Sequence, residues 1–169
     1  MTPQEELFDI LDETGEKIGK ASREEFHNGS FFLHGVVHVL VFNDSGCLYL
    51  QKRSKSKTIQ PGKWDTSIGG HMVSGETLSQ ALKREAEEEL GIRDAPFEKL
   101  YSYIMVSDVE REFVTTFLCF WNGPVHFQKS EIDEVRCFTP EEIESRLETD
   151  FFTPNFEKEW SNYRKWISV

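Results

Sequence analysis

The sequence predicts an α/β or α+β protein in which one clear helix lies among several short strands. The length of 169 residues is typical of a single domain. Several short runs alternate apolar and polar residues, which predicts strands, and the run after Thr77 repeats apolar residues at helical spacing. Periodicity alone does not decide between the two fold classes. No repeat or linker is visible, so we expect one domain over 1–169, with an N-terminal hairpin in about 1–26 and a core in about 27–169.

The N-terminal half of the chain predicts two hairpins. A short segment with a glycine separates the two alternating runs in each of them, at 13–16 in the first and at 44–46 in the second. The run at 34–43 is rich in valine and predicts a central strand. Between the hairpins, 21–26 predicts a short helix or loop and 28–30 a turn. The predicted strands are 7–12, 17–20, 34–43 and 47–53.

The C-terminal half predicts further strands and three helices. The first helix has a capping box, since Gln80 follows Thr77 at the required spacing, and Gly91 is a typical stop. Thr139 before Pro140 starts the second helix. The other predicted elements are short strands at 65–68 and 135–138, long strands at 97–107 and 112–121, and helices from about 140 to 148 and from 154 to 166. The aromatic stripe of the last helix predicts core packing rather than a cofactor or partner site; its members are Phe156, Trp160, Tyr163 and Trp166.

The charge and the cysteines restrict the partners and the compartment. The chain has 30 acidic and 19 basic side chains, and its net charge of −11 argues against binding to nucleic acid or to an anionic membrane. Its first residues are acidic, and no apolar run reaches the length of a membrane span. The odd set Cys47, Cys119 and Cys137 lacks zinc-site spacing and predicts reduced core thiols. We therefore expect a cytoplasmic protein with no nucleic-acid or membrane partner.

The helix after Thr77 carries acidic residues beside its apolar face. Its apolar stripe consists of Leu78, Ala81, Leu82, Ala86 and Leu90. Glu85 and Glu89 project into the same sector as this stripe, and Glu88 lies on its flank. Carboxylates so close repel one another, and their burial is costly unless a cation neutralises them. Mg²⁺ or Mn²⁺ suits such oxygen ligands. The alternative is a solvated acidic face paired with Lys83 and Arg84.

This stretch resembles the Nudix box, Gly-x5-Glu-x7-Arg-Glu-U-x-Glu-Glu-x-Gly-U, where U is apolar. Its fixed positions are filled by Gly70, Glu76, Arg84, Glu85, Ala86, Glu88, Glu89, Gly91 and Ile92. The resemblance implies an α/β/α sandwich around a mixed sheet. It also implies a hydrolase that uses Mg²⁺ or Mn²⁺ to cleave a diphosphate linked to another moiety, such as a nucleoside. The partner would be a small phosphorylated substrate, and a homodimer is the candidate assembly.

The resemblance gives each motif residue an expected role. Glu85, Glu88 and Glu89 would hold the metal, and one of the acidic residues would activate water. Glu76 and Arg84 would support these ligands. Two further groups are candidates for substrate binding, although a solvated loop explains the second equally well: the paired glycines Gly69 and Gly70, and the loop cations Arg53 and Lys63.

The wider chain also resembles the isopentenyl-diphosphate isomerases, which share this fold. That resemblance implies a second metal site at His27, His34, His71, Glu110 and Glu112, and a catalytic tyrosine at Tyr103. The alternative is that the histidines are ordinary strand or loop residues. Gly69 stands where the isomerases have an acid/base cysteine, and no cysteine is near it in the sequence. The sequence therefore favours a hydrolase of an isomerase-related subgroup over an isomerase or a non-catalytic binding module.

Overall fold

The computed structural model describes residues 6–168, so the first five residues of the predicted N-terminal hairpin and the last residue of the chain lie outside the description. The described part contains a nine-stranded sheet and four helices. In chain order, the elements are β1 (Leu7–Leu11), β2 (Lys17–Ser22), α1 (Arg23–His27), β3 (Leu33–Phe42), β4 (Leu48–Arg53), β5 (Trp64–Asp65), β6 (Ile68–His71), α2 (Leu78–Leu90), β7 (Glu98–Val106), β8 (Arg111–Phe120), β9 (Ile132–Phe138), α3 (Pro140–Arg146) and α4 (Pro154–Ile167).

Strand β3 is the centre of the sheet, as its valine-rich sequence predicted, and all ten of its residues are buried. It pairs in parallel with β8 over its whole length, from Leu33 to Phe42. Its other edge is shared by three antiparallel partners, β1, β6 and β4 in turn. The sheet therefore contains both parallel and antiparallel pairs, and β3 brings the first strand, the strand before α2 and the long C-terminal strand together.

Helices cover both faces of this sheet, which confirms the α/β/α architecture. On one face, Val37, Val39 and Val41 pack against the apolar stripe of α2. On the other face, Leu40 and Phe42 pack in a cluster that contains Phe156 and Trp160 of α4. The alternation of side chains along β3 thus serves two hydrophobic layers at once.

The local helix signals of the sequence are confirmed. Thr77 accepts a hydrogen bond from the backbone of Gln80, and the Gln80 side chain bonds back to the Thr77 backbone. Gly91 ends α2 in the left-handed conformation with φ of 67°, which favours glycine. Thr139 caps α3 in front of Pro140. These short-range contacts fix where α2 begins and ends, and therefore which of its residues face the sheet.

Three predictions about strands need correction. The single strand expected at 65–68 is two strands, because β5 pairs with β4 whereas β6 pairs with β3. The second hairpin is closed only at Phe42 and Leu48, since β4 then leaves β3 and pairs with β9 and β5. Strand β9 begins at Ile132 rather than at 135, because its charged first residues also pair with β4.

Two predictions about packing hold only in part. All three cysteines are free, but only Cys119 is buried; Cys47, directly before β4, and Cys137, in β9, are half-buried. In the aromatic stripe of α4, Trp166 is 49% exposed, whereas the preceding members pack against the core. No helix in residues 6–168 has the length and apolar character needed to cross a membrane.

Candidate active site

The loop from β6 into α2 brings the acidic side chains of α2 against glycine backbone. Glu85 is folded over Gly70, where a Cβ atom would overlap all three atoms of the Glu85 carboxyl group at less than 3.0 Å. Glycine at this position therefore makes room for the carboxylate. Glu89 accepts hydrogen bonds from the backbone N–H of Gly69 at 3.1 Å and from the Gln51 side chain at 2.8 Å. Both predicted glycines thus contact predicted metal ligands directly.

Arg84 holds the acidic residues in a network. Its guanidinium donates two hydrogen bonds to Glu76, at 2.7 and 2.8 Å, and one to Glu85 at 2.6 Å. A longer bond of 3.2 Å reaches Glu88, whose side chain is 58% exposed. Its remaining donor bonds the backbone carbonyl of His71 at 3.0 Å. The hydrogen bonds from Arg84 lower the pKa of Glu76, so this pair is charged at neutral pH and fixes the loop before α2.

The surroundings of the two inward-facing acids, Glu85 and Glu89, disfavour their charged forms. Burial raises the pKa of Glu89, and the nearby charge of Glu85 raises it further. Burial also raises the pKa of Glu85, although Arg84 opposes the shift. A divalent cation would remove this penalty, since it stabilises both carboxylates in their charged form. The oxygen-only donor set of Glu85, Glu88 and Glu89 fits Mg²⁺ or Mn²⁺.

A second group of candidate metal ligands lies at the other end of β6. The ligand atoms of His34, His71 and Glu110 all lie within 4.8 Å of one another. His27 lies beside this set, with its Nε2 2.7 Å from Oε2 of Glu110. Four chain segments meet here: the end of α1, the start of β3, the end of β6 and the turn before β8. This histidine cluster, His27, His34, His71 and Glu110, was predicted only through a resemblance.

The chemistry of the histidine cluster fits a metal ion. Both ring nitrogens of His34 are buried without a hydrogen-bond partner among the described residues, which is costly for a polar group. Burial lowers the pKa of His34 to about 4 and that of His71 to about 3. Both rings are therefore neutral at pH 7 and have a lone pair to donate. Nitrogen donors with one carboxylate suit Zn²⁺ or another transition metal rather than Mg²⁺.

Glu112 lies outside that set of mutually close ligand atoms. Its side chain is buried, with Asn155 as a distant donor at 3.4 Å, and burial raises its pKa to about 7. The two predicted substrate cations have partners within the chain. Arg53 lies 3.6 Å from Asp65, and Lys63 forms an ion pair with Asp150. Neither cation is hydrogen-bonded to an acidic residue of α2 in the described chain.

A buried polar network on the α4 side of the sheet was missed in the sequence. Glu159 is fully buried, and it contacts His38 Nδ1 at 2.9 Å, the Thr116 hydroxyl at 2.6 Å and the Tyr101 hydroxyl at 2.5 Å. Tyr103, predicted as a catalytic tyrosine, donates to the same carboxylate at 3.2 Å. Burial alone would lower the pKa of His38, but the hydrogen bond to Glu159 raises it. The same contact lowers the pKa of Glu159 against the effect of its burial, so both shifts favour the charged forms of this buried pair.

An open groove begins at the exposed edge of the acidic residues. It has a volume of about 690 Å³ and runs between the outer side of α2 and the loop after β8. Arg84 and Glu88 line one wall, and Phe127 and Gln128 line the other. The groove offers an aromatic ring and an amide next to the proposed metal ligands.

Comparisons with known proteins agree with this geometry. A family model for the NUDIX domain matches residues 32–160. An uncharacterized Nudix hydrolase of Yersinia pestis is 37% identical over 150 residues, which cover 89% of this chain and 81% of that protein. The crystal structure of DR0079 from Deinococcus radiodurans superposes with a TM-score of 0.72 at 27% identity, over 84% of this chain and 88% of that one. The NUDIX domain of Shewanella oneidensis NrtR, solved in complex with ADP ribose, has a TM-score of 0.63 at 15% identity, over 78% and 86% of the two chains, so it is similar in fold alone.

Proposed function

This chain belongs to the Nudix hydrolase family, and on that basis we propose that it is a metal-dependent hydrolase that cleaves a diphosphate linked to another moiety. One observation carries this proposal. Glu85 and Glu89 are held against the glycine backbone of β6, and Arg84 binds Glu85, so two inward-facing carboxylates share a single confined space. Such an arrangement is costly without a divalent cation and fits its coordination by Glu85, Glu88 and Glu89.

The residues around the acids have separate tasks in the proposed reaction. When bound, a divalent ion would neutralise the phosphate oxygens and lower the pKa of a water molecule. Arg84 and Glu76 keep the carboxylates in position through the bonds that join them. Glu88 is the exposed member of the three acids, and we assign it the role of orienting or deprotonating water. Glu89 is half-buried and hydrogen-bonded on both oxygens, so its role is to hold the ion.

The groove beside Glu88 provides room for the group attached to the diphosphate. Its aromatic ring and amide suit a planar group that forms hydrogen bonds, such as a nucleoside, and the binding of ADP ribose by a protein of the same fold supports this class. Arg53 and Lys63 would bind a phosphate only after leaving Asp65 and Asp150. We therefore propose that each is a secondary substrate anchor, which releases its aspartate when it binds a substrate phosphate.

The histidine cluster supports a second metal site and a subgroup related to the isomerases. An isomerase reaction is disfavoured because Gly69, which has no side chain, stands where the isomerases have their acid/base cysteine. A Cβ at Gly69 would meet the His38 ring at 3.3 Å, so a cysteine there would require that ring to shift. We also propose that the chain is a single domain, acts in the cytoplasm and forms a homodimer, in line with its free cysteines and its family.

The proposed activity is tested by product analysis. Nucleoside di- and triphosphates, sugar nucleotides and isopentenyl diphosphate are incubated with the protein and Mg²⁺ or Mn²⁺, and products are identified by mass spectrometry. We expect a metal-dependent split of one diphosphate class, and a loss of orders of magnitude in turnover for Glu88→Gln and Glu89→Gln. Glu141→Gln is the matched control, because Glu141 is an exposed glutamate of α3.

Three results would contradict the proposal. A rearrangement of isopentenyl diphosphate without change of mass would identify an isomerase. Nucleotide binding without turnover of any compound would identify a binding module. Full activity of the Glu88→Gln and Glu89→Gln double variant would place the active site elsewhere.

A further inference from the structure

His71 contacts groups of both candidate metal sites through different atoms. Its ring is part of the histidine cluster, within 4.8 Å of the ligand atoms of His34 and Glu110. Its backbone carbonyl accepts the hydrogen bond of 3.0 Å from Arg84, which also binds Glu85 and Glu88. We propose that His71 couples the two sites, so that a metal ion held by the histidine cluster strengthens metal binding by the acidic residues of α2. This inference rests on the proposed function and extends it to the regulation of the acidic site.

The connecting path is short and has no gap. The ring and the carbonyl belong to the same residue at the end of β6, so a ligand that fixes the ring also restricts the carbonyl. The carbonyl in turn helps to position the Arg84 guanidinium. The Nη2 atom of Arg84 donates hydrogen bonds both to this carbonyl and to Glu76. Arg84 then orients Glu85 at 2.6 Å. The path thus consists of one residue, His71, and the hydrogen bonds of Arg84.

Strand β6 is suited to respond to such a restraint. It has only four residues, and two of them, Gly69 and Gly70, have no side chain that could fix the backbone by packing. Gly69 binds Glu89 through its N–H, and Gly70 lies under Glu85. All four residues of β6 pair with β3, so a restraint on His71 acts on Gly70 and Gly69 through a backbone of fixed register. The coupling is the difference in free energy that this restraint makes to metal binding by the acids.

Linkage requires that the effect be reciprocal. If an ion at the histidine cluster tightens Mg²⁺ binding by the acids, then Mg²⁺ tightens binding at the histidine cluster by the same factor. Coupling of this kind is typically about five- to 150-fold in affinity. The reciprocal direction is easier to measure, because Co²⁺ bound by nitrogen ligands has visible absorption bands and Mg²⁺ has none.

The test is a Co²⁺ titration of the metal-free protein, followed by visible absorption, without Mg²⁺ and with saturating Mg²⁺. We expect at least a fivefold lower Co²⁺ dissociation constant with Mg²⁺ present. His34→Asn removes a ligand of the cluster alone, so it should abolish the absorption bands while Mg²⁺ binding, followed by calorimetry, persists. Arg84→Lys keeps a positive charge but loses the fork that reaches the His71 carbonyl, so both ions should bind with little mutual effect.

The outcomes separate this inference from the proposed hydrolase. Equal Co²⁺ affinity with and without Mg²⁺ would overturn the coupling while both sites stand. Absence of the absorption bands in the unmodified protein would overturn the histidine site and the coupling together. Coupling that persists in Arg84→Lys would contradict the path through His71. None of these readings depends on turnover, which is tested separately by product analysis.

Discussion

Replacing Gly70 with alanine separates the function of the acidic site from the stability of the fold. A Cβ at this position would lie closer than 3.0 Å to every atom of the Glu85 carboxyl group, whereas ordinary contact begins at 3.4 Å. The carboxyl group must therefore retreat by about 1 Å, and misplacement of a catalytic group by that distance costs about 100-fold in rate. Since a carboxyl group is the flexible end of its side chain, it can move away, and the expected loss of unfolding free energy is only about 1 kcal/mol.

Three measurements on Gly70→Ala test this reasoning. Mg²⁺ binding by calorimetry should weaken, kcat should fall about 100-fold, and the denaturant midpoint should change little. Gly19→Ala is the matched control, because Gly19 lies in β2, and its nearest neighbour, Ile10, would meet the added Cβ at an ordinary 3.6 Å. Unchanged Mg²⁺ affinity and kcat in Gly70→Ala would refute the role of Glu85. A collapse of stability in that variant would show that Gly70 is a folding requirement instead.

Three further predictions concern other parts of the molecule. Burial raises the pKa of Glu112 from 4.5 to about 7, so the stability contributed by its neutral form is complete below pH 4.5 and is lost as the pH rises through 7. Glu112→Gln should therefore stabilise the metal-free protein by about 3 kcal/mol at pH 8 and by nothing at pH 4, measured by urea unfolding. Equal effects at pH 4 and pH 8 would show that the pKa of Glu112 is not raised. Phe127→Ala should raise KM about tenfold and leave kcat unchanged, whereas Phe120→Ala, which removes an exposed ring outside the groove, should alter neither. Glu159→Ala should cost about 3–5 kcal/mol in urea unfolding, because His38 loses its buried partner, and a loss no larger than that of Glu141→Ala would show that the ion pair adds little.

The acidic site could be predicted because most of it lies on one helix. The capping box and Gly91 set the ends of α2, and the helical period then determines that Glu85 and Glu89 turn inward. These are local relations, and they hold once the helix forms. The burial of the stripe that includes Leu82 and Ala86 follows from the same register. No distant pairing has to be known.

The histidine cluster and the buried network depend on contacts between residues far apart in the chain, and these contacts cannot be read from the sequence alone. His38 and Glu159 are 121 positions apart, and they meet only because α4 crosses the face of β3 that carries His38. His27 and Glu110 are separated by 83 positions and meet because β3 and β8 pair in parallel. A family resemblance supplied the histidine cluster, but it said nothing of Glu159. The one sequence signal for the buried network was that His38 lies on the same face of β3 as His34.

The most consequential error in the sequence interpretation concerns β6, which was expected to end before the glycines. Strand alternation, applied from Ile68 onward, would have placed Gly69 and His71 on one face and Gly70 on the other. The observed strand follows that alternation. The N–H of Gly69 binds Glu89, Gly70 makes room for Glu85, and His71 ends the strand among histidines while its carbonyl binds Arg84. A strand without side chains at its centre can approach the acids closely, and the pairing of all four of its residues with β3 holds it there. Ile68 packs in the core at one end of β6, whereas His71 at the other end contacts the histidine cluster with its ring and Arg84 with its carbonyl. The residue at the last position therefore contacts groups of both sites.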